Sequence, residues 1–178
     1  MKSIFVPHRP PHKTFQTGTY MITSATNQKI NHFREPEDLD FLQNSLLTLS
    51  EKWGWELQAW SIFPNHYHFI AKSINNSQNL SDFLSEFHLI SAKYINEVQG
   101  ALGRKVWYQF WDTYITHHSS YCSRLNYVMK NPVKHKIVSD EVEYRWCSAN
   151  WFKTNSDPLF YKAISRFKCD QLNIGDDF

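Results

Sequence analysis

A chain of 178 residues, 42% hydrophobic and 20% charged, is long enough for one domain with a buried core and short for two, and this composition excludes a disordered chain. A net charge of +2 does not by itself indicate a nucleic-acid partner. Three cysteines without a C-x-x-C pair argue against a disulfide framework, and we find no signal-peptide core and no apolar run of membrane-spanning length. We therefore predict a cytoplasmic globular protein with reduced thiols and no membrane partner.

Strand and helix patterns alternate along the chain. Pro36 at the first position, a stripe of leucines and Gly54 as the stop predict the first helix. The pair Pro64-Asn65 separates two strands. The third helix is expected to begin at a serine cap and to end at Pro132. In chain order the predicted elements are a flexible arm (1–17), a strand (18–25), a helix (36–53), two strands (55–63 and 66–74), a helix (79–100), a strand (105–115), a helix (119–131) and a short helix near 159–167. The aromatic residues of 105–115 also permit a buried helix there.

The order of these elements predicts the fold class. Strand–helix–strand–strand–helix–strand followed by a helix is typical of an α/β fold of the α+β kind, with a ferredoxin-like antiparallel sheet and the helices on one face. Residues 18–152 would form this domain. Residues 1–17 would precede it as a flexible arm, and residues 153–178 would follow it as a C-terminal extension.

Basic residues gather in two parts of the chain. Residues 1–34 contain Lys and Arg but no acid, and Asp112 is the only acid in residues 101–138. A face that collects these cations would suit phosphate binding. A solvated surface with uneven charge explains the same pattern equally well.

The segment FPNHYHFI, residues 63–70, places two histidines one residue apart in a predicted strand. Residues i and i+2 of a strand face the same way, with Cα atoms about 6.5 Å apart. His66 and His68 would therefore project side by side, and Tyr67 would point into the core. Two imidazoles at this spacing can bind one divalent ion. Partly buried, hydrogen-bonded histidines are the alternative, and two ligands make only part of a metal site.

The third predicted helix offers a candidate for completing such a site. Tyr127 and Asn131 are four residues apart, so they lie on one helical face, one turn from each other. A carboxamide oxygen is a reasonable ligand for Mg²⁺ or Mn²⁺. Asn131 would then place Tyr127 one turn from the metal. A tyrosine that simply packs in the core is the alternative.

Four sequence blocks carry a resemblance to a known family. SIFPNHYHFI resembles the MPNHVHLL stretch with the paired histidines of single-tyrosine HUH transposases, and YVMKNPVKHKIV resembles their YIHxNPVKxGLV helix. VWYQFWDTYIT and YRWCSA are similar to the VWQxxYYDHVI block, which is one residue longer, and the YPWSSA block of REP-associated tyrosine transposases. The blocks occur in the same order with similar spacing, from about Thr17 to Trp151.

The resemblance implies an HUH transposase or nuclease domain whose third helix bears the nucleophile. It makes His66 and His68 metal ligands, Asn131 the third ligand and Tyr127 the nucleophile, with Mg²⁺ or Mn²⁺ as the cofactor. Three positions depart from the family pattern without touching a proposed catalytic atom: Phe63 stands in place of Met, Tyr67 in place of Val and Lys136 in place of Gly.

The activity implied by the resemblance is metal-dependent cleavage and transfer of single-stranded DNA beside a REP-like hairpin. Tyr127 would displace a 3′-hydroxyl and stay joined to the 5′-phosphate. Lys130 and Lys134 flank Tyr127 and are the first candidates for phosphate contacts. Further candidates for DNA binding are Arg124, Arg104 and Lys105.

Several points stay open from the sequence. Trp107, Tyr108 and Trp111 could stack on bases or fill the core. His117, His118 and His135 could support the metal ligands or contact DNA, although ordinary surface histidines are the favoured interpretation. A binding module that has lost catalysis and a metal-dependent phosphodiesterase that uses water are alternative functions. The resemblance favours a monomer, although other single-tyrosine relatives form dimers with shared active sites.

Overall fold

The computed structural model describes residues 17–75, 77–169 and 172, so the predicted arm at residues 1–17 lies almost wholly outside the described part. Within that part, no helix combines the length and the apolar character that a membrane span requires. The strands are β1 (Thr19–Thr26), β2 (Trp55–Ile62), β3 (His66–Ser73) and β4 (Trp107–Ile115). The helices are α1 (Pro36–Lys52), α2 (Leu80–Val98), α3 (His118–Lys134), α4 (Ala149–Asn155) and α5 (Pro158–Ile164).

The four strands form one antiparallel sheet in the order β2-β3-β1-β4. Strand β3 is internal, and its His68 lies opposite Thr23 of β1 on one side and Ser61 of β2 on the other. Strand β4 is an edge strand and pairs with β1 alone. The predicted fold class, an α+β fold built on an antiparallel sheet, is confirmed.

Helices cover both faces of this sheet. Tyr67 and Phe69 of β3 point into a core formed with α1 and α2, and the inward direction of Tyr67 was predicted. Ile70 of β3 and Met21 of β1 point the other way, into a second core formed with α3, α4 and α5. The expectation that all helices share one face is therefore wrong for the third helix. The physical reason lies in β3, where every residue from His66 to Ala71 is buried, so both faces need a cover.

The local sequence explains where helix α1 begins and what stabilises it. Pro36 occupies the first helical position, where its missing N–H costs no hydrogen bond. The backbone N–H groups of Arg34 and Glu35 both donate to the Asp38 carboxylate, at 3.1 Å each. The stripe predicted from the sequence is buried, and each leucine contributes roughly 1.5–3 kcal/mol. Its members are Leu39, Leu42, Leu46 and Leu49.

Helix α3 differs at both ends from its prediction. It begins at His118, and its N-cap His117 makes no side-chain capping bond. It also continues through Pro132 to Lys134, and the His135 N–H still donates to the Asn131 carbonyl at 2.9 Å. A proline in the last turn removes only one helical hydrogen bond, so three more residues keep the helical path. Asn131 is consequently inside the helix and fully buried, not at its end.

Two short helices follow α3 and pack against it. Helix α5 overlaps the predicted helix near 159–167, whereas α4 was not predicted. Phe152 of α4 and Ile164 of α5 are buried in the same core as α3. The Asn126 side chain of α3 donates to the Phe167 carbonyl at 2.7 Å. This part of the chain therefore supports the helix that carries Tyr127.

Candidate active site

His66 and His68 project from β3 onto the face covered by α3, as the strand alternation predicted. Their ring centroids are 5.2 Å apart, and the side chains are only 3% and 0% exposed. The bulky Tyr67 between them points to the opposite core. The pair therefore lies side by side at the interface between the sheet and α3.

Hydrogen bonds to the Nδ1 atoms orient both rings. His66 Nδ1 lies 2.6 Å from the Asn65 carbonyl oxygen Oδ1, and the Asn65 amide nitrogen donates to the Lys29 carbonyl at 3.1 Å. This second bond fixes the orientation of the Asn65 amide, so Nδ1 of His66 carries the proton. His68 Nδ1 lies 2.8 Å from the Thr23 hydroxyl. With Nδ1 engaged in this way, Nε2 is the ring nitrogen suited to bind a metal.

Burial keeps both imidazoles neutral. Loss of solvent is the main cause and repulsion from the neighbouring His135 the second, and together they lower the pKa of His66 to about 3. The polar side chain of Asn131 opposes this shift. Loss of solvent, followed by His66, holds the pKa of His68 well below its ordinary value. A neutral imidazole is the form that binds metal ions. At neutral pH the pair is therefore in its ligating state.

Tyr127 and Asn131 extend from α3 towards these histidines. The Tyr127 ring lies 5.5 Å from the His68 ring and nearly perpendicular to it, and Tyr127 is 3% exposed. Among the described residues, the Tyr127 hydroxyl and both polar atoms of the Asn131 carboxamide make no hydrogen bond of normal geometry. A buried polar group left in this way costs about 1–3 kcal/mol. These atoms are therefore candidates for contact with a ligand.

The donor set fits a hard divalent cation completed by other ligands. The described part of the chain contains no cluster of three or more His, Cys, Asp or Glu side chains suited to an ion. The protein ligands here would be Nε2 of His66, Nε2 of His68 and the Asn131 oxygen. Such a set leaves coordination positions for water or phosphate oxygens, which Mg²⁺ and Mn²⁺ accept readily.

Three of the five predicted DNA-binding residues lie on α3 near Tyr127. The Lys134 ammonium is 4.9 Å from the centre of the Tyr127 ring. Lys130 pairs with Glu141 at 3.7 Å, and Arg124 donates to Ser120 one turn before it. A cleft of about 430 Å³ opens beside this group. It is lined by Tyr127, Lys130, Val133, Lys134, Cys169 and Leu172.

The other two predicted DNA-binding residues lie away from α3. The Arg104 guanidinium donates to Asn96 at 2.9 Å and to Gln99 at 2.7 Å, and these bonds fasten it to the end of α2. Lys105 lies over the ring of Tyr108, 5.5 Å from its centre. Arg104 therefore has a structural role in closing α2, and the structure does not bring it to Tyr127.

The structure also brings residues to the site that the sequence did not indicate. Thr23 and Asn65 orient the two histidines. For His135 the sequence favoured an ordinary surface position and left a role beside the metal ligands open; the residue is half-buried, and its ring lies 5.0 Å from that of His66. Asn65 directly precedes His66 in the sequence and could have been suspected. Thr23 is 45 positions from His68 and becomes visible only with the strand register.

The chain is similar to known transposases in sequence and in fold. Residues 14–130 match the family described as IS200-like transposases. A solved structure of a REP-associated tyrosine transposase bound to a REP hairpin has a TM-score of 0.69 and 19% identity, and the match covers 83% of this chain and 86% of that one. A candidate transposase from Deinococcus radiodurans R1 has a TM-score of 0.46 and 16% identity over 73% of this chain and 95% of that one. No curated protein matches the sequence significantly.

The family match spans more than half of the chain and includes the paired histidines and Tyr127. The fold of the REP-associated transposase is shared along most of both chains. This chain therefore belongs to the IS200-like transposase family, whose members are enzymes of DNA transposition.

Proposed function

We propose that this transposase is a metal-dependent single-stranded DNA endonuclease and strand transferase that works through a 5′-phosphotyrosine intermediate. One observation carries the proposal: the Tyr127 ring packs against His68 while its buried hydroxyl has no hydrogen-bond partner among the described residues. A hydroxyl held in this way suits a nucleophile better than a structural tyrosine.

In the proposed step, the Tyr127 oxygen attacks the phosphorus of a phosphodiester. The phenol gives up its proton to solvent as the new O–P bond forms and the bond from phosphorus to the 3′-oxygen breaks, and the 3′-oxygen takes up a proton from solvent and leaves as a hydroxyl. The DNA 5′-phosphate stays attached to Tyr127. Because the link conserves the energy of the phosphodiester, a second 3′-hydroxyl can reverse the step and join a new strand.

His66, His68 and Asn131 would hold Mg²⁺ or Mn²⁺. When bound, the ion would polarise the phosphate and orient it for in-line attack, which offsets the weak nucleophilicity of a phenol that ordinarily ionises near pH 10. The chain itself contributes a rigid strand under the ligands and a helix above them. These elements keep the tyrosine and the two imidazoles in fixed relative positions.

The proposed substrate is single-stranded DNA next to a REP-like hairpin. Two observations support it: the solved structure of the same fold was determined with a REP hairpin, and Lys130 and Lys134 line the same cleft as Tyr127. A phosphodiester must leave the duplex to reach a tyrosine buried between a helix and a sheet. We therefore expect hairpin-bearing single strands to be cut and a perfect duplex of the same sequence to stay intact.

The Tyr127→Phe variant tests the mechanism, because it removes one oxygen atom and keeps the ring. We expect it to bind Mn²⁺ and hairpin DNA about as well as the parent protein and to form no covalent adduct with labelled DNA in a denaturing gel. Tyr121→Phe is the matched control. Tyr121 lies on the same helix as Tyr127, but its hydroxyl donates to Gln58 of β2 at 2.8 Å, so adduct formation should persist.

Two results would contradict the proposal. Cleavage by Tyr127→Phe would indicate a phosphodiesterase that uses water. An intact parent protein that binds hairpin DNA with Mn²⁺ present but never forms an adduct would indicate a binding module without catalysis.

A further inference from the structure

The edge strand β4 carries an exposed aromatic residue on the same sheet face as the two histidines. Trp111 lies opposite Thr23 of β1, and Thr23 lies opposite His68 of β3. Residues paired across neighbouring strands point to the same face. Since strands are about 4.8 Å apart, the Trp111 backbone is about 10 Å from that of His68. Single-stranded DNA spans this distance within a few nucleotides.

A shift in strand register adds a second ring to this face. Ser24 pairs with Phe110 and Thr26 pairs with Trp107, so both Tyr108 and Gln109 lie opposite Ala25. Such a bulge redirects side chains. It brings the Tyr108 ring to 6.4 Å from the Trp111 ring. The Lys105 ammonium lies 5.5 Å from the centre of the Tyr108 ring.

Helix α3 leaves these rings uncovered because it packs on β2 and β3. Tyr108 is 41% exposed and Trp111 is 38% exposed, whereas Trp107 of the same strand is buried in the other core. Neighbouring aromatic rings at the surface beside a cation are the features with which proteins bind single strands, through base stacking and phosphate attraction. We name Lys105, Tyr108 and Trp111 the β4 shelf.

We propose that the β4 shelf binds the single-stranded DNA that flanks the scissile phosphate, with Trp111 and Tyr108 stacking on nucleobases and Lys105 contacting a phosphate. The position of the scissile phosphate rests on the proposed function, but the stacking itself does not require cleavage. The β4 shelf extends the sheet face that carries His66 and His68 to the edge of the sheet. A DNA strand that leaves Tyr127 can therefore run along an aromatic surface.

The test compares two probes that differ only in their bases. Binding of a fluorescent oligothymidylate and of an abasic oligomer of equal length is measured by anisotropy, in EDTA, so that cleavage does not enter. We expect the parent protein to prefer the oligothymidylate. Trp111→Ala should weaken oligothymidylate binding roughly 5- to 100-fold. It should leave abasic binding within about twofold, because the phosphate contacts are unchanged.

Three variants complete the design. Trp111→Tyr keeps a ring and should restore most of the preference for bases. Tyr114→Ala is the matched control, since Tyr114 is 38% exposed on the opposite face of β4 and should not affect that preference. Lys105→Ala should weaken both probes and reduce the slope of log affinity against log salt by about 0.7.

The inference is overturned if the parent protein binds both probes equally, if Trp111→Ala loses no preference, or if Tyr114→Ala loses as much. Circular dichroism checks that each variant is folded. If Trp111→Ala does not fold, the comparison of the conservative Trp111→Tyr variant with the parent protein decides instead. None of these results depends on the tyrosine adduct. A failure of the shelf therefore leaves the proposed chemistry standing, and the absence of an adduct leaves the stacking result standing.

Discussion

The Thr23 hydroxyl and the Asn65 amide determine which nitrogen of each histidine is available to a ligand. Both approach Nδ1, at 2.8 Å for His68 and 2.6 Å for His66. Partners of this kind hold the ring in place and raise its basicity as a ligand. Their loss should therefore weaken metal binding even though neither residue would touch the metal.

Replacing Thr23 by Val tests this at one atom, because Val keeps the shape and removes the hydroxyl. We expect the affinity for Mn²⁺ to fall by about tenfold to 100-fold, measured by isothermal titration calorimetry without DNA. Thr23→Ser keeps the hydroxyl and should bind Mn²⁺ nearly as tightly as the parent protein. Equal affinities for Thr23→Val and Thr23→Ser would show that the hydroxyl does not orient His68.

Sequence reasoning at the scale of residues succeeded where periodicity alone determines direction. The i, i+2 spacing placed His66 and His68 on one face of a strand, and the i, i+4 spacing placed Tyr127 and Asn131 on one face of a helix. It could not find Thr23, because a contact between residues 45 positions apart depends on how β1 and β3 align. Strand register depends on packing across the whole sheet, which local patterns do not reveal.

At the scale of elements, the packing of His88 of α2 against the sheet makes the fold sensitive to acid. The Tyr67 hydroxyl lies 2.8 Å from Nε2 of His88, whose ring stacks on Trp107 with centroids 4.7 Å apart. Loss of solvent lowers the pKa of His88 to about 3. The unfolded chain has the ordinary value near 6.5. Below pH 6.5, His88 therefore binds a proton in the unfolded state but stays neutral in the folded state.

We expect the free energy of unfolding to fall as pH falls from 6.5 towards 3, by at most about 1.4 kcal/mol per pH unit from His88. His88→Gln keeps a polar partner for Tyr67 and removes the titration. Urea unfolding in EDTA at pH 6.5 and 4.5 should show a smaller loss for this variant, by about 2 kcal/mol. His117→Gln, at the exposed start of α3, should follow the parent protein. Equal losses for all three proteins would contradict the assignment to His88.

Helix ends and bulges account for most of the differences between the predicted and observed elements. Pro132 was expected to end α3, yet its position in the last turn costs too little to do so. The shift at Tyr108 and Gln109 separates Trp107, which is buried, from Trp111, which is exposed. The local sequence is compatible with a helix that ends before the proline or continues through it, and with a strand that pairs with or without a bulge. Packing against the sheet selects one conformation in each case. The type and order of the elements from β1 to α3 were predictable because the hydrophobic period within each segment and the proline, glycine and capping residues between segments specify them.

At the scale of the whole molecule, one chain brings all the proposed catalytic parts together. Strand β3 supplies His66 and His68, and α3 of the same chain supplies Tyr127 and Asn131. The Tyr127 and His68 rings are 5.5 Å apart without any exchange of helices between copies. This arrangement differs from a dimer in which each tyrosine serves the histidines of its partner.

A mixture of two inactive variants distinguishes these arrangements. His66→Ala lacks a proposed metal ligand but keeps Tyr127, and Tyr127→Phe lacks the nucleophile but keeps both histidines. If each site is built within one chain, every site in the mixture lacks one part, so we expect no covalent DNA adduct at any ratio. Parent protein diluted with Tyr127→Phe should form adduct in proportion to the parent present. An adduct in the mixture, carried by the His66→Ala chain, would show that helices exchange between copies and that the active site is shared.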